Sequence, residues 1–296
     1  DASYKSFTES IVKAVCDHIT NERVIRNGRV HPATLVQAYK TYSSGSGDKG
    51  SLMWSPNPNI SKALNDAVDI AFYTIKPSPG VHLHALDISG SMNCCSSAVP
   101  SLTSFEASVI QMLCHLKTNL RNGGGRQIVM VFDVKGSVVF DSDPDSTAYT
   151  MDSIVSNTRY QCYGRGKPLP KGPLFDPLAD SWDTVIRKLQ GLPMGGTDCA
   201  QPVLLAKKMV TSSIARPEIF SVYTDNETYY GSIHPSVALK NYRKTVPNAK
   251  MIVIAATPTR FTIADPNDPN SLDICGWDTG AGTVIHDFIS GDTASG

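Results

Sequence analysis

The feature that most constrains the fold is an alternation of two patterns that begins at residue 81. From there, apolar runs of strand length alternate with stretches whose apolar residues recur at helical spacing. Strands that alternate with helices predict βαβ units, and therefore a mainly parallel sheet with helices on both faces. The runs cover residues 81–88, 127–134, 136–141, 219–224 and 250–256, and the helical stretches cover 103–119, 199–211, 234–245 and 281–289.

One connection departs from this alternation. The second run passes into the third at Lys135-Gly136, a connection too short for a crossover between parallel strands. We therefore expect one antiparallel strand at an edge of the sheet. Residues 159–181 are rich in glycine and proline and predict a surface insertion.

The first 76 residues show helical spacing throughout. Apolar side chains recur every three to four positions, as at Ile60, Leu64 and Ala67, and helix breakers divide the segment. Three or four short amphipathic helices cannot bury their apolar faces alone, so we expect the end of an α-helical, HEAT-like repeat array. The segment KPSPG predicts a hinge that divides the chain into a helical segment, 1–79, and an α/β domain, 80–296.

Three loops carry oxygen-bearing side chains at the edge of the predicted sheet where ligands gather in such folds. The segment DISGSM places Asp87, Ser89 and Ser91 in alternation after the first strand of the domain. The segment GGTDC places Thr197 on a glycine loop before a helix, and Asp225 directly follows an apolar strand. Two carboxylates and three hydroxyls would then face one point.

This ligand set suits Mg²⁺ or Mn²⁺, which prefer octahedral coordination by oxygen and retain some waters. Only two of the five groups carry a negative charge, so the cation would favour an acidic group from a partner protein in its open position. The competing interpretation is that the hydroxyls cap helices and that Asp225 starts a turn. The DxSxS motif alone does not separate these interpretations, whereas three loops in equivalent positions favour the metal.

The segments DISGSM, GGTDC and TDNET, in this order and at strand ends, resemble a von Willebrand factor A domain with its metal-ion-dependent adhesion site. This resemblance implies that Ser89, Ser91 and Thr197 are direct or near-direct ligands of the metal. It also implies that Asp87 and Asp225 hold the metal directly or through water.

A narrower resemblance extends along nearly the whole chain. The segments GGTDC, TDNET, HPSVALKNYR, FTIADPND and CGWDTG together resemble the Ro autoantigen (TROVE) family, and residues 31–54 resemble the last repeats of its helical ring. The resemblance implies a non-enzymatic ribonucleoprotein component that binds small noncoding Y RNAs and takes part in quality control of misfolded RNA. The insertion at 159–181 departs from the family pattern, and most residues that grip RNA would lie upstream of Asp1.

Two other functions remain open. The first is a metal-dependent, adhesion-type protein-interaction domain without an RNA role. It agrees with the 27 basic and 27 acidic residues, a balance that predicts no strong long-range attraction to nucleic acid. The second is a metal-assisted hydrolase with Ser89 or Ser91 as nucleophile and His234 as base. Because no GxSxG segment is present, we expect no enzyme.

Other patterns have simpler interpretations. The segment GSGDKG fits GxGxxG, but a helix precedes it where a dinucleotide site needs a strand. His82 and His84 alternate on one strand without a third zinc ligand, so we expect them to face the covering layer. A small basic cluster on the helical segment is either a solvated face or a phosphate contact. It comprises Arg23, Arg26 and Arg29.

The cysteines indicate a reducing compartment. Seven cysteines without a CxxC pair predict free thiols, and therefore a cytoplasmic protein with the nucleus as a second location. No apolar stretch reaches the ~18 residues of a membrane span, and no signal-peptide pattern is visible. The expected partners are a small noncoding RNA and an acidic protein group but no membrane, and the expected oligomeric state is a monomer.

Overall fold

The computed structural model describes residues 2–28, 30–47, 50–72, 77–94, 102–151, 172–192, 195–225, 228, 230–257, 263–276 and 281–291. The chain divides into two compact units, Asp1–Ile75 and Lys76–Gly296. No helix within the described ranges is long and apolar enough to cross a membrane.

The first unit consists of helices, as its periodicity predicts. Its helices are α1 Ala2–Ile19, α2 Glu22–Asn27, α3 Pro32–Ser44 and α4 Pro58–Ala71. α4 packs against the other three and buries small apolar residues such as Ala67 and Ala71. α3 and α4 each begin with a proline. The first N–H groups of a helix have no partner within the helix, so proline, which lacks an N–H, loses no hydrogen bond there. Gly45 ends α3 in the left-handed conformation, with φ of 74°.

The strands of the second unit, among the described residues, are β1 His82–Asp87, β2 Gln127–Phe132, β3 Gly136–Asp141, β4 Ile219–Thr224, β5 Lys250–Ala255 and β6 Ser271–Cys275. They form a six-stranded sheet in the order β3-β2-β1-β4-β5-β6. β3 pairs antiparallel with β2, and the other neighbouring strands are parallel. The predicted α/β class, with a mostly parallel sheet and an antiparallel edge strand, is confirmed.

Helices cover the sheet, and in the described residues they are α5 Ser104–Arg121, α6 Trp182–Gln190, α7 Gln201–Thr211, α8 Pro235–Tyr242 and α9 Ala281–Ser290. α5 packs on β1 and β4, and α7 packs on β3, β2, β1 and β4. The sequence patterns miss β6 and α6. β6 is only partly buried and therefore lacks a continuous apolar run, and α6 is a short helix that follows the predicted insertion. Residues 152–171 lie outside the described residues, and they include positions 159–171 of that insertion.

The two faces of the sheet differ in chemistry. Leu83 and Ala85 of β1 belong to an apolar core that includes residues of α7 and α8. His84 alternates with them and points to the opposite face. Its Nε2 lies 2.8 Å from the Gln127 Oε1, and its Nδ1 lies 3.2 Å from the Tyr223 hydroxyl. His84 is therefore part of a buried polar network.

Replacing His84 with glutamine is expected to weaken the acid sensitivity of folding. Burial lowers the pKa of His84 from 6.5 to about 3. The unfolded chain therefore takes up a proton as pH falls below 6.5 while folded His84 stays neutral, and stability is lost towards acid. The loss approaches ~1.4 kcal/mol per pH unit. Urea unfolding of the wild type and His84→Gln between pH 7 and pH 4 measures the two slopes.

The exposed His18 on α1 provides the control. His18→Gln should reproduce the wild-type slope. His82 is present in every variant, and burial lowers its pKa as well. Part of the dependence of stability on pH therefore remains in every variant. An unchanged slope in His84→Gln would show that His84 does not resist protonation in the folded chain.

Candidate metal centre

Three of the predicted ligands lie where β1 ends, at the carboxyl edge of the sheet. Asp87 is the last residue of β1, and the backbone N–H of Ser89 donates to its Oδ1 at 2.8 Å. A short 3-10 turn, Gly90–Asn93, follows and brings the Ser91 hydroxyl to 3.1 Å from the Ser89 hydroxyl. Asp87 and Ser89 are buried, whereas Ser91 is partly exposed. One carboxylate and two hydroxyls therefore form a compact group with Ser91 on its solvent side.

The glycine loop before α7, which carries Thr197, is bonded to the turn that holds this group. The Gly195 carbonyl accepts a hydrogen bond from the Gly90 N–H at 3.1 Å, which joins the two loops. The carbonyl of buried Thr197 accepts one from the Tyr230 N–H at 2.9 Å. The Tyr230 ring lies against Gly196, where a Cβ would stand 2.2 Å from the ring. The Thr197 loop is therefore held between the turn after β1 and Tyr230.

Asp225 reaches the same edge from β4. It directly follows that strand and is 6% exposed. Because β1 and β4 are parallel neighbours, their carboxyl ends lie side by side. Burial raises the pKa of Asp87 to about 7, and the negative charge of Asp225 adds to the rise, while hydrogen bonds from Ser89 and Thr224 oppose it. The two carboxylates therefore interact electrostatically.

The donor set fits a hard divalent cation. Asp87 is completely buried and forms no ion pair among the described residues, although buried carboxylates are normally paired or bound to metal. The 3.1 Å between the Ser89 and Ser91 oxygens agrees with adjacent positions of an octahedron. Those positions lie about 3 Å apart when each ligand is ~2.1 Å from Mg²⁺.

A metal site of another kind is not found in the described part of the chain. There, no three His, Cys, Asp or Glu side chains come together as a cluster that would hold a metal ion. A cation at the end of β1 would therefore depend on hydroxyls and water beside the carboxylates Asp87 and Asp225.

Thr224 is a member of this centre that the sequence analysis missed. Its Oγ1 donates to the Asp87 Oδ2 at 2.7 Å. The available signal was its position: a hydroxyl residue at the last place of β4, directly before Asp225. Because β1 and β4 are parallel neighbours that end together, their last residues face each other.

The competing candidate sites have local structural roles. His234, the candidate base, caps α8, and its Nδ1 lies 2.8 Å from the Ser236 hydroxyl. Gly45 of GSGDKG is the C-cap of α3, so a helix precedes this loop as predicted. Arg26 forms an ion pair within α2, and Arg29 lies outside the described residues. None of these observations adds a ligand to the centre at β1.

The cysteines in the described part are free thiols. Cys199, at the start of the segment that leads into α7, is buried, and this burial raises its pKa far above the ordinary value. Cys94 is exposed next to the turn after β1, and Cys95 lies outside the described residues. The free cysteines are Cys16, Cys94, Cys114, Cys199 and Cys275.

Comparison with protein families shows a similarity in the second half of the chain. The family model described as the Ro60 vWA domain matches residues 173–289. This range contains Thr197 and Asp225, whereas the other three predicted ligands precede it.

Individual relatives are similar along almost the whole chain. The chain is 34% identical over 283 residues to RNA-binding protein RO60 of Deinococcus radiodurans, and the aligned region covers 95% of this chain and 45% of that protein. It is 31% identical over 285 residues to RNA-binding protein RO60 of Caenorhabditis elegans, with 96% and 37% covered. The crystal structure of the Deinococcus radiodurans RO (RSR) protein matches with a TM-score of 0.71 and 32% identity, over 96% of this chain and 49% of that one. The chain thus spans less than half the length of each.

Proposed function

Because the chain belongs to the Ro60 family and carries the Ro60 von Willebrand factor A domain, we propose that it is part of a non-enzymatic RNA-binding ribonucleoprotein component. The observation that carries this proposal is 34% identity, over 95% of the chain, to a protein named for RNA binding. The relatives are more than twice as long, so the proposal concerns the complete protein. The proposed RNA ligands are small noncoding Y RNAs and misfolded RNAs that undergo quality control.

The proposed role of the α/β domain is to hold Mg²⁺ or Mn²⁺ and to bind an acidic group of a partner protein there. A bound cation would supply a coordination position that attracts a carboxylate. Support comes from the buried Asp87 carboxylate and from the close hydroxyls of Ser89 and Ser91. The Gly90–Gly195 hydrogen bond and the interaction of Asp87 with Asp225 support the addition of Thr197 and Asp225 to the ligand set.

The location and assembly state are also proposals. The free thiols of the described residues favour a cytoplasmic protein, with the nucleus as a second location. We propose a monomer without a membrane partner.

The complete protein is expected to bind a small structured RNA with an affinity that falls steeply with salt. RNA affinity rests largely on phosphate contacts, and 6–10 such contacts lose about 10³–10⁵ in affinity between about 50 and about 200 mM salt. A gel shift at stated salt with a Y-like RNA and with an unstructured RNA of equal length measures this. Asp225→Asn serves as the matched variant. It should bind RNA as the wild type does, because the proposed cation acts on a protein partner and not on RNA.

If the complete protein binds neither RNA at low salt, the proposed RNA-binding role is wrong. The second candidate function, an adhesion-type protein-interaction domain, would then remain. It is favoured by the balance of 27 basic and 27 acidic residues, which gives the chain no net attraction to a polyanion.

A further inference from the structure

We infer that Thr224 is a positioning residue for the candidate cation site and that it acts through Asp87. This inference rests on the proposed metal centre. Thr224 ends β4, Asp87 ends β1, and the two strands are parallel neighbours. The Thr224 Oγ1 donates to the Asp87 Oδ2 at 2.7 Å, and both residues are 0% exposed.

The other oxygen of Asp87 is held as well. Its Oδ1 accepts a hydrogen bond from the Ser89 N–H at 2.8 Å. Two donors from different segments of the chain therefore hold one carboxylate. Each carboxylate oxygen has a second lone pair, which stays available to a cation or to a water on a cation. The orientation of Asp87 thus depends on a bond made by the neighbouring strand.

Thr224 is a rigid donor. Its backbone carbonyl accepts a hydrogen bond from the Ala256 N–H at 2.9 Å, so the sheet fixes its main chain on the side of β5. Threonine is β-branched, and its χ1 angle is restricted. A hydroxyl at a completely buried position is unfavourable unless it is hydrogen-bonded, and valine would fill the same space in a strand. The bond to Asp87 gives the hydroxyl a function that valine lacks.

Thr224→Val is expected to weaken the binding of Mg²⁺ and Mn²⁺ by roughly 10- to 100-fold, the usual loss when a group that orients a metal ligand is removed. Thr224→Ser keeps the hydroxyl and is expected to stay within about three-fold of the wild type. Thr118→Val is the matched control, because Thr118 is a buried threonine of α5, 1% exposed, outside the candidate centre. It should bind the cations as the wild type does.

The experiment titrates the complete protein with each metal alone, Mn²⁺ by electron paramagnetic resonance and Mg²⁺ by calorimetry. Thermal unfolding in EDTA of every variant measures the metal-free fold separately. Thr224→Ala serves as a second variant without the hydroxyl in case the valine variant does not fold. The expected result is weak binding by the valine and alanine variants, with Thr224→Ser and Thr118→Val like the wild type.

Two results would overturn the proposed role of Thr224 without overturning the proposed metal centre. One is wild-type affinity in a folded variant that lacks the hydroxyl, and the other is an equal loss in Thr224→Ser, which would assign the effect to packing of the methyl group. A wild-type protein that binds neither cation would overturn the metal centre, and the role of Thr224 with it.

Discussion

Replacing Asp225 with asparagine is expected to weaken the binding of Mg²⁺ and Mn²⁺ by on the order of 100-fold or more. The candidate set has only two carboxylates, Asp87 and Asp225, and its other members are neutral hydroxyls. Asparagine keeps the size of the side chain but removes half of the negative charge that would hold the cation. Calorimetric titration of the complete protein with each metal measures the loss.

The metal-free protein should tolerate the same change. The negative charge of Asp225 is one of the causes that raise the pKa of Asp87, so its removal relieves repulsion between two buried groups. We expect the free energy of unfolding in EDTA to stay the same or to rise by up to about 1 kcal/mol. Loss of metal binding together with unchanged stability would separate a ligand from a structural residue.

Asp265 offers the matched control. It is an exposed turn residue whose Oδ1 accepts the Asn267 N–H at 3.0 Å, a bond that asparagine can also accept. Asp265→Asn should bind metal like the wild type, with stability within about 0.5 kcal/mol. Wild-type metal affinity in Asp225→Asn would place the cation elsewhere, and a large loss of stability in EDTA would show that Asp225 supports the fold.

Gly125→Ala is expected to have the largest effect on stability. A Cβ at Gly125 would stand 1.7 Å from the Gly80 carbonyl oxygen, which is backbone and cannot rotate away. The Gly125 N–H donates to the Ser78 carbonyl at 3.1 Å, so the two segments are also bonded together. Accommodating the methyl group requires them to separate just before β2 begins. We expect a loss of about 4 kcal/mol or more, measured by urea unfolding.

Gly191→Ala tests whether any added methyl group is harmful. Gly191 caps α6 with φ of −69°, and a Cβ there would meet the Lys188 carbonyl at 3.4 Å, an ordinary contact. This variant should stay within about 1 kcal/mol of the wild type. If Gly125→Ala were equally mild, the close approach of residues 78–80 to Gly125 would be wrong.

The fold class was accessible from sequence because strands covered on both faces have continuous apolar runs. The burial of every residue in β1, β2 and β4 explains why their patterns were strong. β6 is different, because it is a partly exposed edge strand with Ser271 and Asp273 among its residues. β6 is defined as a strand by its pairing with β5, and a local sequence pattern does not reveal such a pairing.

The candidate ligands were also accessible from sequence, since each lies at or just after the end of a strand or on a glycine loop. Their supports were not. The Thr224–Asp87 bond joins residues 137 positions apart, and the contact of Tyr230 with Gly196 depends on how two loops meet. Such contacts are set by tertiary structure, so a motif predicts candidate ligands but not the groups that orient them.

The place of β1 in the middle of the sheet has a consequence for biosynthesis. β1 pairs with β2 on one side and with β4 on the other, and Thr224 follows Asp87 by 137 positions. At about 5–20 residues per second, roughly 7–30 s separate the synthesis of these two residues. During that interval the nascent chain presents one unpaired edge of an apolar central strand, the kind of edge that recruits other chains or a chaperone. A chain that stops before β4 therefore has the DxSxS turn but never a complete centre.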